Sequence, residues 1–400
     1  MIERMDAFTT PSNWQRVRLG DIAHIFDGTH QTPQYTHYGV AFFSVENIVS
    51  DKPSKFISQQ DYLTATNQNR PEYNDILLTR IGTIGVSKVV NWNYPFSIYV
   101  TLAVIKQSKY FNSYYLHYFI QSNFFQKELK NNSLLQAIPC KINMNELKKC
   151  EVILPPLNEQ SAIANILSDL DHYLCSLDAL ILKKEGVKKA LSFELLSQRK
   201  RLKGFNQAWQ RVRLGDICEF GNGGAYETLI VENGDFKLIS LNSIDIDGNL
   251  KNTMKRVNFY DNSLKQDDIV MVLSDVAHGD FLGLCAVIPS NDYVLNQRMG
   301  RLRKRNDCIN ILFLRLYINA NQKYFKMQGQ GSSQLNLSKK AIEDFEILLP
   351  PLNEQIAIAN ILSDVDSEII SLKNKKRQFE NIKKALNHDL MSAKIRVLNK

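Results

Sequence analysis

The side chains able to do chemistry in this chain are mostly hydrogen-bonding groups gathered in loops. Residues 27–38 read DGTHQTPQYTHY and place Thr29, His30, Gln31, Thr32 and Tyr35 within seven positions. Arg80, Thr83 and Lys88 lie around Gly82 and Gly85, and Lys141 follows a third polar stretch. In the second half, Asn222 and Tyr226 belong to GNGGAY, and His278 to SDVAHGDFLG. Gln297, Arg298, Arg301 and Arg303 form a basic segment, and Gln330, Ser332 and Gln334 lie in QGQGSSQLN. Such groups suit readout of base edges, where Arg and Gln are the usual bidentate readers of guanine and adenine. Lysines and arginines can hold phosphates and set register without reading sequence.

Catalytic constellations are missing from this pattern. Leu154-Pro155-Pro156-Leu157 has leucine on both sides of its prolines, so it lacks the amide acceptor and stacking ring of the Asn/Asp-Pro-Pro-aromatic motif of adenine methyltransferases. Phe220-Gly221-Asn222-Gly223-Gly224 is not G-x-G-x-x-G, and no P-loop occurs. Asp75, Asp267 and Asp268 have no Glu-x-Lys at close spacing and are expected to end turns before apolar strands. His30, His37 and His278 lack metal-ligand spacing, and the six cysteines make no CxxC pair, so no metal site is expected.

The elements that must position these loops are written twice. LPPLNEQSAIANILSDLD at 154–171 recurs at 349–366 with two changes, Ser161 to Ile356 and Leu170 to Val365. WQRVRLGDI at 14–22 recurs unchanged at 209–217, at the same offset of 195 residues. The chain is therefore two copies of one unit. Each copy opens on an alternating Gln-Arg-Val-Arg strand pattern. Strands are expected over 40–49, within 75–90, over 95–106 and over 151–154. One amphipathic helix is expected over 113–129 and its counterpart over 310–327. After each Pro-Pro pair a helix of about 40 residues is expected, roughly 60 Å long, with Asn158 able to cap the first and Asn158 and Asn353 expected among the helix-packing or partner residues. Ile163, Leu167, Leu170, Leu174 and Leu177 make a heptad seam, matched by Ile358, Leu362, Val365, Ile369 and Leu372. The boundaries so read are 1–155 and 204–350 for two β-rich domains, and 156–203 and 351–400 for the long helices. The fold class is α+β. The frame is nearly identical in the two copies while the loops differ, as expected of two binding modules of different specificity.

Composition bounds the reading. At 44% hydrophobic and 22% charged the chain has ordinary globular content. A formal charge of +8 favours an acidic partner, with nucleic acid first. Residues 183–203 alone carry eight basic and two acidic side chains, which a solvated helix face would also explain. The first residues are polar and show no signal-peptide pattern, and no apolar run reaches membrane-spanning length. Scattered cysteines fit a reducing cytoplasm.

The twin LPPLNEQ…IANILSD stretches, the Leu-Gly-Asp-Ile openings, GTHQTP at 28–33 and RIGTIG at 80–85 resemble the DNA-specificity subunit of type I restriction–modification systems, over the whole chain. The resemblance implies two target recognition domains, each reading one half of a split double-stranded DNA site. It implies long helices packed as an antiparallel coiled coil with pseudo-twofold symmetry, setting the unread gap. It also implies two modification (methyltransferase) subunits docked on those helices, then restriction (helicase–nuclease) subunits. S-adenosylmethionine, ATP and Mg would belong to these partners, with no cofactor in this chain. The helix starts would be identical because both present one face to identical partners. The DNA-facing regions implied are 28–37, 79–88 and 131–141, then 222–228, 274–281, 297–305 and 328–336. Two other readings stay open: a self-sufficient DNA methyltransferase or nuclease, which would need a cofactor motif, and a coiled-coil adaptor without a DNA role.

Overall fold

The computed structural model describes residues 11–50, 53, 55–276 and 279–397. The polar lead-in over 1–10 and His278 lie outside the described residues. The chain forms two compact units. One comprises residues 1–179 with 374–400, the other 180–373.

In the first unit, strands Ile25–Asp27, Leu102–Ile105, Ile76–Thr79 and Ser87–Val89 form an antiparallel sheet in that order. A second sheet runs Tyr35–Thr36, Lys55–Ile57, Val40–Phe43 and Phe96–Ile98, its last pair parallel. The opening strand, Gln15–Arg18, pairs antiparallel with Glu151–Leu154, and Pro155-Pro156 ends that ribbon. The second unit repeats the plan. Cys218–Asn222, Met299–Lys304, Ile269–Val272 and Cys285–Val287 make the four-stranded sheet, and Gln210–Arg213 pairs with Glu346–Leu349. Apolar strand faces and the helices behind them close the main core of each unit, around Tyr115, Phe119 and Phe125 in the first and Phe313 and Phe325 in the second.

Four expected elements divide. The expected strand over 95–106 is two strands in different sheets, because Tyr99–Thr101 turns to bond other loops: Tyr99 N–H donates to Phe43 O and Val100 N–H to Thr29 O. The expected strand over 40–49 ends at Phe43 and becomes a helix, Val45–Ser50, where the Asn47 side chain accepts from Ser44 N–H. The helix over 113–129 breaks after Ile120, and Ser122 caps a second helix, Asn123–Asn131. Its counterpart breaks likewise, into Ile311–Ala320 and Gln322–Gln328. Ser44 and Ser122 stand at two of these breaks, but a single polar residue also fits the exposed face of an unbroken element, so periodicity alone did not place the break.

The long helices span Leu157–Leu196 and Leu352–Met391, 40 residues each. In the first unit the start of one pairs antiparallel with the end of the other. Lys383 Nζ lies 2.5 Å from Asp171 and Lys376 Nζ 2.6 Å from Asp178, while the Tyr173 and Phe379 rings stand 4.7 Å apart. In the second unit Lys184 pairs with Glu368 at 2.7 Å, and Lys188 with Asp366. Ile163 and Leu167 are buried with Leu390 and Met391 in the first core, and Ile358 and Leu362 with Leu195 and Leu196 in the second. Leu177 and Ile369 are also buried, and Leu170, Leu174, Val365 and Leu372 are half-buried along the seam.

Asn158 and Asn353 are exposed and lie one residue inside helices that begin at Leu157 and Leu352, so neither caps nor packs. The buried work falls to their neighbours. Glu159 accepts from the Trp14 indole at 3.1 Å and from Arg396 at 2.6 and 2.9 Å. Glu354 does the same with Trp209 at 3.0 Å and Arg201 at 3.1 and 2.6 Å. Gln160 and Gln355 each donate to the first proline's carbonyl at 2.8 Å and accept a backbone N–H from Asn112 or Asn310. Internal packing of the domain onto its helix is thus a direct reason for the repeated Pro-Pro, Glu and Gln, and for the repeated Trp.

Candidate nucleic-acid interface

At one end of the first domain three loops are tied together by Arg80. Arg80 as a whole is 6% exposed. It donates to the Asp27 carboxylate at 3.0 Å, to Val100 O at 2.9 Å and to Ile142 O at 3.2 Å. Burial pulls its pKa down, and Asp27 opposes the fall. The chain then continues the junction through bridges between Ile81 and Lys141 and a Gly82 N–H to Cys140 O bond of 2.8 Å. Arg80, expected to contact DNA, is found here as the brace of the site, with its Nε and Nη1 donors bonded to loops 27, 100 and 142.

The brace presents the polar loop. His30, Gln31, Thr32 and Tyr35 are exposed. His30 sits 3.1 Å from Asp27, Thr32 Oγ1 3.2 Å from the Tyr99 hydroxyl, and half-buried Thr29 donates to Gln31 O at 3.1 Å. Lys55 lies over the Tyr35 ring at 4.9 Å. Thr83 is exposed at the next loop and Lys141 is half-buried beside it. Lys88 stands further down its strand, with its ammonium 5.7 Å from the Trp92 ring centroid and its pKa lowered by burial, so the structure keeps it with the framework rather than the loop tips. The 131–141 loop also exposes Leu134, Leu135 and Ile138, apolar tips absent from the polar expectation.

The second domain builds the same junction from different side chains. Gly223 N–H donates to Met299 O as Gly28 does to Leu102 O, Leu273 N–H to Arg298 O as Arg80 does to Thr101 O, and Leu337 N–H to Leu273 O as Ile142 does to Arg80 O. Gly28 and Gly223 are required by this close approach. A Cβ at either would come within 2.1 Å of backbone oxygen. Asn222, Gln297, Arg298, Gln330 and Ser332 are exposed there. Gln334, half-buried, belongs to a short strand, Gln334–Asn336, that pairs antiparallel with Ser274–Val276, and Ser274 donates to the Asn336 side chain. That ribbon falls where a plain loop was expected.

Three of the residues expected to contact DNA in this domain have partners within it. Tyr226 donates its hydroxyl to Asp261 at 2.9 Å and packs on Phe259, so it supports the loop. Arg301 pairs with Glu219 at 2.7 Å and donates to Ser263 O. Arg303 makes a two-pronged pair with Asp268, at 2.8 and 2.6 Å. Asp268 is buried and also accepts Lys265 N–H, as buried Asp75 accepts Glu72 N–H and the Lys106 ammonium. These aspartates are turn anchors, as their positions before apolar strands predict. Asn296, overlooked in the sequence, is buried and holds the junction by accepting Tyr226 N–H and donating to Glu227.

No cluster of His, Cys, Asp and Glu able to hold a metal is found among the described residues. No helix there is long and apolar enough to cross a membrane.

Known proteins bear on this arrangement. The family model described as "Type I restriction modification DNA specificity domain" matches twice, at residues 11–184 and 206–381. The type I restriction enzyme MjaVIII specificity subunit of Methanocaldococcus jannaschii is 25% identical over 99% of this chain and 96% of its own length. The putative MjaX specificity subunit of the same organism is 24% identical over 97% and 95%. Among solved structures, the type I restriction–modification S subunit from M. genitalium superposes with a TM-score of 0.63 at 18% identity, covering 96% of this chain and 97% of that one. The HsdS subunit from Thermoanaerobacter tengcongensis gives 0.51 at 16% identity, over 96% and 98%.

Proposed function

As this chain belongs to the type I restriction–modification DNA specificity family, we propose that it reads a bipartite duplex site, one half-site per loop cluster, for a complex whose catalysis lies in other subunits. It is a specificity subunit with two recognition domains, and its partners are DNA and the other subunits of the system. The observation that carries the split-site reading is the junction built twice on one hydrogen-bonded frame with different exposed side chains. The same frame with other tips changes what is read without changing how it is held.

The long helices are read as spacer and dock. Two modification subunits would bind them, followed by restriction subunits, and S-adenosylmethionine, ATP and Mg would be bound by those partners. The complex would work in the cytoplasm, on chromosomal and incoming DNA. Four of the eight basic residues of 183–203 form ion pairs, Lys184 with Glu368, Lys188 with Asp366, Lys200 with Glu194 and Arg201 with Glu354, which supports a structural rather than phosphate-binding role for those four. The test is methylation of a duplex library by the chain mixed with its modification subunit. Exchange of residues 23–145 for those of a relative should change one half-site and leave the other. Both half-sites unchanged would sink the assignment.

A further inference from the structure

We propose that the Gln297–Arg298 turn is the base-reading tip of the second recognition domain, and that Arg298 reads a guanine in that half-site. The inference rests on the recognition role just given and names the residue and the base.

The first support is rigidity. The turn sits between buried Asn296 and buried Met299. Asn296 N–H donates to Ile239 O, Gln297 N–H to Gly224 O, and Arg298 O accepts Leu273 N–H at 3.0 Å. Arg298 itself has φ +67°, a backbone setting that a long side chain adopts only when its neighbours fix it. A tip held this way loses little entropy on binding.

The second support is charge. Of the arginines in this segment, Arg301 and Arg303 are ion-paired and Arg305 donates to Gly215 O and Cys218 O. Arg298 is exposed, and among the described residues its guanidinium has no ion-pair or hydrogen-bond partner. Its acidic neighbour, Glu227, is hydrogen-bonded by the Gln297 and Asn296 side chains; these bonds, Gln297's above all, hold its carboxyl below the usual range, with a smaller coulombic pull from Arg298. A free planar fork at a fixed tip matches the paired O6 and N7 acceptors of guanine in the major groove.

The third support is the contrast with the first domain. There the equivalent turn is Val100–Thr101, held by the same backbone bonds, uncharged, and with the Val100 carbonyl taken by Arg80. Base reading in that half falls to the loop carrying His30, Gln31 and Thr32. The two half-sites are therefore read by different parts of one frame.

The experiment uses the full chain with its modification subunit and a duplex pool randomised at both half-sites. Wild type should prefer guanine at one position of the second half-site. R298A should lose that preference by about 10- to 100-fold and leave the first half-site intact. R298K, which keeps the charge without the fork, should still methylate but lose most of the discrimination. A uniform fall on all sequences, with the salt slope reduced by about one, would mark a phosphate contact and overturn the proposal. Unchanged preference in both variants would overturn it too. Methylation that does not depend on this chain at all would overturn the recognition role itself, and this proposal with it.

Discussion

Arg80 and Gln31 lie in neighbouring loops and do opposite work. Arg80 is a buried donor to Asp27 and two carbonyls, whereas Gln31 is exposed. Arg80→Ala should cost about 2–3 kcal/mol by removing the donor to two carbonyls and leaving Asp27 with His30 alone, measured by urea unfolding of the first domain's signals. Gln31→Ala should shift stability by no more than about 0.5 kcal/mol and alter the first half-site in a methylation library. A second residue-scale effect concerns His117. Its ring lies 2.9 Å from both Ser87 Oγ and Gln121 Nε2. Burial first, then Lys383, lowers its pKa from 6.5 to about 4, with Asp171 opposing and Lys88 assisting. The unfolded chain then binds the extra proton more readily. The stabilising effect is complete above about pH 6.5 and is lost as pH falls through about 4. Thermal melts should show wild type losing more stability across that window than His117→Gln; parallel pH profiles would refute the assignment.

At the scale of elements, the two long helices carry the clearest local code and one local flaw. Gly186 lies inside the first helix, exposed, with nothing within 4 Å of where a Cβ would be. Gly186→Ala should therefore stabilise by about 0.5–1 kcal/mol, read as a raised urea midpoint with unchanged methylation specificity. The helices pair antiparallel in each unit, so a lengthening must be made in both. One heptad inserted after Ile181 and one after Lys376 adds about 10 Å. If the helices set the gap, the unread spacing should grow by about three base pairs at 3.4 Å each while both half-site sequences persist. A constant gap in sequenced methylation products would remove the helices as the ruler.

For the whole molecule, the charge excess is smaller in effect than in count. Ion pairs absorb Arg301, Arg303, Lys106, Lys184 and Lys188, and backbone contacts absorb Arg305. Binding of the assembled complex to duplex should still weaken steeply with salt, since phosphate contacts release counterions. A flat salt response would return the coiled-coil adaptor to consideration.

What the sequence determined by itself is the part written in local periods. The duplication, the two 40-residue helices with their seams, the opening and closing strands and the regions of polar loop could all be read from spacing, because helix and strand faces repeat over a few residues. What only the tertiary structure decided is which polar side chains are free. Asp27 and Arg80 are 53 positions apart, Asp268 and Arg303 are 35 apart, and Trp14 meets Glu159 across 145. No local pattern encodes partners at such distances. The same blindness hid the turns at Tyr99–Thr101 and Asn296–Met299, whose backbone bonds run to residues far off in the sequence, Phe43 and Thr29 for the first and Ile239 and Gly224 for the second. Arg298 resembled its neighbours in the sequence. Folding pairs or engages Arg301, Arg303 and Arg305, and leaves Arg298 exposed on a fixed tip.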